Sequence, residues 1–260
     1  MARLGEMIGG DDPAVPRDRV IYVFAKDPYG DQPVKTRLAP LLGVAGARAL
    51  AAALLEDALA GAARAAGPLA ARLVVACAPD RPSPALCALA RRHGAELVGQ
   101  GPGSLGARLA RVLELAGGAT RVALGADVPD LPRGRLGQAV AAVEGGSRAA
   151  LGPALDGGYH LLALSAGCPA GFLRDGSIAW GSERALEGTR AALARAGVAA
   201  TLLDPWPDVD EPGDLRRFLE RSQGAREEAS ATRAWAARWA RGLGPAWLDS
   251  GCPRPYRPGG

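Results

Sequence analysis

Lysine is nearly missing from this 260-residue chain: among 31 basic residues only Lys26 and Lys35 are lysine, and the others are arginine. Both lysines fall within one short stretch, Lys26-Asp27-Pro28-Tyr29-Gly30-Asp31-Gln32-Pro33-Val34-Lys35-Thr36-Arg37-Leu38. An ammonium is a compact, mobile point charge, whereas a guanidinium is a rigid planar fork. A compact cation can follow a phosphate as it moves, so phosphate binding is the expectation for this loop. A solvated, charged loop face is the plainer alternative.

Cysteine is also scarce. Cys77, Cys87, Cys168 and Cys252 lie far apart with no CxxC pair, which disfavours a disulfide framework or a zinc site and suits reduced thiols in the cytoplasm. Aromatic residues make up 5% of the chain and never interleave with a basic run. The net charge of +4 therefore suits a phosphate-bearing ligand better than nucleic acid. His93 and His160 have no Ser, Cys or carboxylate at triad-like spacing, which argues against nucleophilic hydrolysis. Residues 1–16 lack the apolar run of an export signal. No stretch was expected to reach the ~20 apolar residues of a membrane span.

What is present is an alternation of strands and helices. Strands are expected over 19–25, 71–78, 96–99, 120–125, 149–153, 160–165 and 199–203, from short apolar runs rich in β-branched residues. Helices are expected over 44–66, 84–93, 104–115, 132–144, 181–196 and 212–220, the third with Ser104 as N-cap. Such alternation makes an α/β protein with a mostly parallel, three-layer sheet, whose ligands sit at the carboxyl ends of the strands. Residues 1–18 read as a flexible arm, 19–222 as the nucleotide-binding domain, and 223–260 as a C-terminal helical extension with a Pro/Gly-rich tail. Within that extension 226–241 reads as a helix carrying Trp235 and Trp239 one turn apart, suited to packing back onto the domain.

Four stretches could carry chemistry. Asp127 ends an apolar strand and can serve as a metal-binding carboxylate or as a helix N-cap. In Asp208-Val209-Asp210-Glu211-Pro212-Gly213-Asp214, the last three acids suit a helix start, while Asp208 precedes the cap and is a second candidate metal ligand. Asp156-Gly157-Gly158-Tyr159 is either a hairpin turn or a substrate-holding loop in which glycine allows close approach. Residues 100–108 (QGPGSLGAR) place glycines at a helix N-terminus, where backbone N–H groups can hold an anion.

In combination these stretches resemble a known group. The pattern comprises Phe24-Ala25-Lys26, Pro28, Gly30 and Lys35-Thr36-Arg37-Leu38-Ala39-Pro40, then Gln100, Leu105-Gly106, Arg108, Asp127, Pro129 and Leu131. It continues with Gly152-Pro153-Ala154, Asp156-Gly157-Gly158-Tyr159, Ile178, Trp180, Asp208-Val209-Asp210, Pro212 and Asp214-Leu215. It is similar to a bacterial family of the nucleotide-diphospho-sugar transferase superfamily, labelled a GT-A-type or arsenosugar-biosynthesis glycosyltransferase. The Asp-x-Asp motif usual in sugar-nucleotide-dependent relatives is replaced by the single carboxylate of Asp127-Val128-Pro129. The Lys loop also resembles that of small nucleotidyltransferases, including guanylyltransferases acting on phospholactate and on molybdopterin cofactors.

The resemblance implies a Rossmann-like GT-A fold that binds a nucleotide with Mg²⁺ or Mn²⁺. It places Lys26, Lys35, Thr36, Arg37, Gln100, Gly106 and Arg108 on the nucleotide phosphates, and Asp127 and Asp208 on the metal. Asp156, Gly157, Gly158, Tyr159 and Trp180 would hold the substrate, with Lys26, Arg37 and Asp156 catalytic. The expected activity is a glycosyltransferase taking a nucleotide-sugar donor and a small-molecule acceptor. The alternative is a nucleotidyltransferase that moves NMP from an NTP to a phosphorylated or phosphonate molecule and releases pyrophosphate. A third option is a nucleotide-binding regulator without turnover. Nucleic acid is not an expected partner, and the oligomeric state stays open, a homodimer among the options.

Overall fold

The computed structural model describes residues 19–221 and 229–243. The arm expected over 1–18 and the tail beyond 243 lie outside the described residues. The strands are β1 (Arg19–Lys26), β2 (Ala71–Ala78), β3 (Glu96–Gly99), β4 (Thr120–Gly125), β5 (Ala149–Pro153), β6 (Tyr159–Leu164) and β7 (Ala200–Leu202). The helices are α1 (Ala39–Ala66), α2 (Pro84–Arg92), α3 (Leu105–Glu114), α4 (Arg135–Glu144), α5 (Ala185–Arg195), α6 (Pro212–Arg221) and α7 (Ser230–Leu243), with a 3₁₀ turn at Gly171–Arg174.

The strands form one sheet in the order β3-β2-β1-β4-β6-β5-β7. All pairings are parallel except those of β6, which runs antiparallel to both β4 and β5. Strand alternation divides the core. Ile21, Val23 and Ala25 face the layer of α1, α2 and α4, while Val20 and Tyr22 face α3, α5 and the 3₁₀ turn. The chain moves outward from β1 to β2 and β3, then returns to β4 on the other side of β1. The β1 and β4 ends therefore flank the switch point where open α/β sheets bind ligands.

Helix α1 is longer than expected because Ala39 and Pro40 open it, but Gly43, at φ 69°, breaks it after the first turn. By length and mean composition α1 could pass as a membrane span, yet Arg48, Glu56, Asp57 and Arg64 interrupt it, so it holds no run of ~20 continuous apolar residues. Its Leu50, Leu54, Leu55 and Leu59 are instead buried in the core. A third cluster joins α1 to the chain's end. Leu38, Leu42, Leu50 and Leu54 pack with Val209, Leu215 and Phe218, and α7 adds Trp235 and Ala236. Trp235 and Trp239 stack with centroids 5.6 Å apart, which matches the expected packing of this helix onto the domain.

The start of α7 is capped from a distance. The buried carboxylate of Asp57, in mid-α1, accepts from the N–H groups of Ala231 (2.9 Å) and Thr232 (2.7 Å) and from the Thr232 hydroxyl (2.6 Å). Those donors would otherwise be orphaned at the helix start. Burial pushes the Asp57 carboxyl up, and these three hydrogen bonds oppose that shift.

One irregularity re-aims side chains near the strand ends. Pro153 pairs with Tyr159 and Gly152 with Leu161, so His160 is the extra residue of a β-bulge. Its ring is buried, and neither nitrogen has a hydrogen-bond partner among the described residues. Burial, reinforced by Arg135, lowers its pKa to about 4. The unfolded imidazole binds a proton near pH 6.5, so the unfolded state gains protons first as pH falls. Stability should drop between pH 6.5 and about 4, by up to ~3 kcal/mol over the interval. His160→Leu should flatten that part of the profile in urea titrations run at several pH values. An unchanged slope would remove His160 as its source.

Candidate active site

The first part of the β1–α1 loop is held by Asp27 and Arg48, neither of which lines the crevice. Asp27 is 1% exposed and accepts from the Ser83 N–H (2.6 Å), the Ser83 hydroxyl (3.1 Å) and the Tyr29 N–H (2.9 Å). Arg48 on α1 donates to the carbonyls of Pro28, Gly30 and Asp31. With its root fixed, the loop leaves Lys26, Thr36 and Arg37 exposed. Lys26 has no ion-pair partner among the described residues.

Lys35 behaves differently from its neighbours. Its side chain is 6% exposed, and its ammonium lies 2.6 Å from Asp127 and 3.3 Å from Asp210, and donates to the Val209 carbonyl at 2.7 Å. Burial alone would lower its pKa, but Asp127 and Asp210 outweigh burial and leave the pKa raised. The backbone at Lys35 has φ 47°, a left-handed conformation that costs a non-glycine residue about 1 kcal/mol or more. Lys35 thus ties together three segments: its own loop, the turn after β4, and the extended segment between β7 and α6. The Val209 N–H donates to the Asp127 carbonyl (2.9 Å), which closes the same junction through the backbone.

The helix-cap reading of Asp127 fails, because α4 begins only at Arg135 and no side chain caps it. Asp214 does act at a helix start, accepting from the N–H groups of Asp210 (3.2 Å) and Glu211 (2.8 Å). Asp210, read in the sequence as a helix-start charge, instead pairs with Lys35 and with Arg37 (3.0 Å). Gln100 is buried, and its amide donates to the Ala76 carbonyl (2.8 Å) and the Ala25 carbonyl (3.2 Å), bridging the ends of β2 and β1. Arg108 reaches the Gln100 side chain at 3.4 Å. Gly106 leaves no room for a Cβ, which would meet the Leu173 carbonyl and lie 2.6 Å from the Trp180 indole nitrogen. Gly157, at φ 86°, is equally confined by the backbone of Glu183.

Two adjoining cavities open at these strand ends. The first, ≈ 420 Å³, is lined by Lys26, Lys35, Thr36, Arg37, Gln100 and Arg108, with Asp127 and Asp210 on its wall. The second, ≈ 360 Å³, is lined by Asp127, Asp156, Asp208 and Asp210, with Arg37, Gly158, Tyr159 and Trp180. They share Phe24, Arg37, Leu105, Asp127 and Asp210. Gly106 and Gly157 line neither cavity; they make room for the elements that do. A further cavity of ≈ 460 Å³ lies between α1 and α4 and shares none of these polar groups. In the second cavity, burial together with Asp156 and Asp127 pushes the Asp208 carboxyl up to about 7. The Asp156 carboxylate accepts from the Gly158 N–H at 2.8 Å through one oxygen. Tyr159 and Trp180 meet edge to face, with centroids 6.2 Å apart.

Asp27, Arg48 and Asp210 were not among the expected site residues. Asp27 directly follows Lys26, but its partner Ser83 is distant in sequence. Nothing local in the chain points to Arg48.

A seven-stranded, mostly parallel sheet with a cationic cavity at its switch point defines a Rossmann-like α/β fold with a site suited to a phosphate-bearing ligand. Comparison with known proteins agrees. The chain is similar to the crystal structure of a "putative nucleotide-diphospho-sugar transferase" from Desulfovibrio desulfuricans G20, at 25% identity and TM-score 0.72, covering 87% of this chain and 98% of that one. It shares its fold with 4-diphosphocytidyl-2C-methyl-D-erythritol synthase (13% identity, TM-score 0.53, 80% and 98% covered). It also shares it with CMP:2-keto-3-deoxy-manno-octonic acid synthetase complexed with CTP (15%, 0.50, 78% and 97%). Residues 59–182 match the family described as "Uncharacterized protein conserved in bacteria (DUF2064)". That span includes Gln100, Arg108, Asp127, Asp156 and Trp180, and excludes the Lys loop and Asp208. No curated protein matches the sequence. The suspected superfamily and the GT-A-like α/β fold both stand.

Proposed function

We propose that this protein is a metal-dependent transferase that takes its activated group from a nucleotide, with a nucleoside diphosphate sugar as donor. The observation that carries this reading is the cationic cavity opening directly onto the carboxylates of the second one. A diphosphate needs fixed positive charge as the bond to it breaks, and preorganised cations supply that without reorganising. Lys26, which has no ion-pair partner among the described residues, would meet it first, with Arg108 and the Asp210-paired Arg37 lining the same cavity, while Lys35 holds Asp127 and Asp210 in place.

The donor set suits a hard divalent cation. Mg²⁺ is commonly held by one or two carboxylates together with the substrate's own phosphates. No group of three metal-binding side chains is gathered among the described residues, while Asp127 and Asp208 line one cavity beside the cationic one. The raised pKa of Asp208 marks a carboxylate short of positive charge. Asp127 and Asp208 would hold Mg²⁺ or Mn²⁺, which when bound adds positive charge at the departing diphosphate. Asp156, with one oxygen held by Gly158, is placed to take the proton of an acceptor hydroxyl through the other. Tyr159 and Trp180, in the same cavity as Asp156, would wall the space for the acceptor.

Two measurements test this reading. Incubation with Mg²⁺, panels of sugar nucleotides and NTPs, and mixed acceptors should release a nucleoside diphosphate. Pyrophosphate release from an NTP would replace glycosyl by nucleotidyl transfer, and no turnover with tight binding would leave a regulator. For the metal, Mn²⁺ titration followed by electron paramagnetic resonance should show about tenfold weaker binding in Asp127→Asn, from the loss of one charged ligand. Equal affinities would take Asp127 out of the metal site.

A further inference from the structure

The two cavities differ in the sign of their charge, and that difference names the class of molecule the second one accepts. Among the described residues its only lining cation is Arg37, which is already paired with Asp210 at 3.0 Å and Glu211 at 3.5 Å. Lys35, from the neighbouring cavity, is spent on Asp127 and Asp210. Asp156 and Asp208 have no ion-pair partner among the described residues, so no cation is left over for an incoming anion. A divalent ion shared between Asp127 and Asp208 would neutralise those two acids and still leave Asp156 unpaired.

The apolar wall carries the second half of the argument. Trp180 is pinned, since its indole packs where Gly106 lacks a Cβ. The Tyr159 hydroxyl oxygen accepts from the Thr189 hydroxyl at 3.5 Å, so the polar end of the phenol is engaged there and its ring is left to line the cavity. Two aromatic rings at 63° form a corner that fits the C–H face of a saturated ring. The other oxygen of Asp156, which lines the same cavity, is an acceptor for hydroxyl groups.

We infer that the second cavity selects an uncharged, hydroxyl-bearing ring as acceptor and rejects phosphorylated or carboxylated analogues of the same ring. The inference rests on the transferase reading above, and it excludes the phosphate-bearing acceptors that the nucleotidyl alternative needs.

The test uses the full chain in Mg²⁺, with inorganic pyrophosphate filling the cationic cavity, and methyl α-glucoside and glucose 6-phosphate as probes. Calorimetry first measures pyrophosphate binding; failure there overturns the transferase reading and not the preference of the second cavity. Saturation-transfer NMR should then detect methyl α-glucoside, with the signal falling at least fivefold in Trp180→Ala. Glucose 6-phosphate should displace it at least tenfold less well than unlabelled glucoside does. Asp156→Asn, which keeps the shape and removes the charge, should narrow that gap. Equal displacement by both sugars overturns the proposal, as does a glucoside signal absent from wild type or indifferent to Trp180 and Asp156.

Discussion

Lys35→Met should weaken nucleoside diphosphate binding in the presence of Mn²⁺ by about 30-fold, and Lys35→Arg should not restore it. The ammonium makes three short contacts, to Asp127, Asp210 and the Val209 carbonyl. Hydrogen bonds to charged groups contribute about 1.5–3 kcal/mol each. The Asp127 and Asp210 side chains are 46% and 37% exposed, so water compensates part of the loss and the cost to folding shrinks to roughly 1–2 kcal/mol. Binding is hit harder, because two carboxylates stripped of their cation then face the incoming diphosphate. A planar guanidinium at position 35 cannot place one point charge against three acceptors in a nearly closed space. Isothermal titration against UDP, GDP and CDP, beside a thermal melt, separates the effects. A melting point lowered by a few degrees with unchanged affinity would reduce Lys35 to a tie between loops.

Gly106→Ala should lower the melting temperature by about 6–12 °C, from a cost near 3 kcal/mol for overpacking. The added methyl group would overlap a backbone carbonyl, that of Leu173, which moves only if the whole 3₁₀ turn moves. It would also press on Trp180, so the indole fluorescence of the folded variant should shift. A melting point within 2 °C of wild type would show that α3 slides freely against the turn.

Much of the framework is legible along the chain. The runs 71–78, 96–99, 120–125 and 149–153 become β2 to β5 with the expected limits, because their apolar blocks end at Gly, Pro or charged residues. Element starts were less legible. Helix α4 begins three residues late and α5 four residues late, since Pro132 and Gly181 open turns and not helices. The bulge at His160 left no mark, because an extra residue in a strand still reads as strand. The rule that ligands gather at strand ends placed the Lys loop and Asp127 in one crevice, as found. That Lys35 turns inward while Lys26 stays exposed was not legible. It depends on Asp210, 175 residues away, and no local spacing encodes that pairing. The division of the crevice into a cationic and an acidic chamber has the same origin, since Asp208 and Asp210 arrive from the far end of the domain.

The distant cap on α7 has a consequence for synthesis. Asp57 is made long before the helix it caps, whose Ala231 follows it by 174 residues. A nascent chain exposed as far as Arg221 already carries every residue lining the two cavities. It still lacks Trp235 and Ala236, which cover the cluster holding Leu38 and Val209 beneath Lys35 and Asp210. The crevice therefore gains its backing only once α7 has followed the domain out of the ribosome, and the waiting carboxylate of Asp57 gives that helix a fixed place to start.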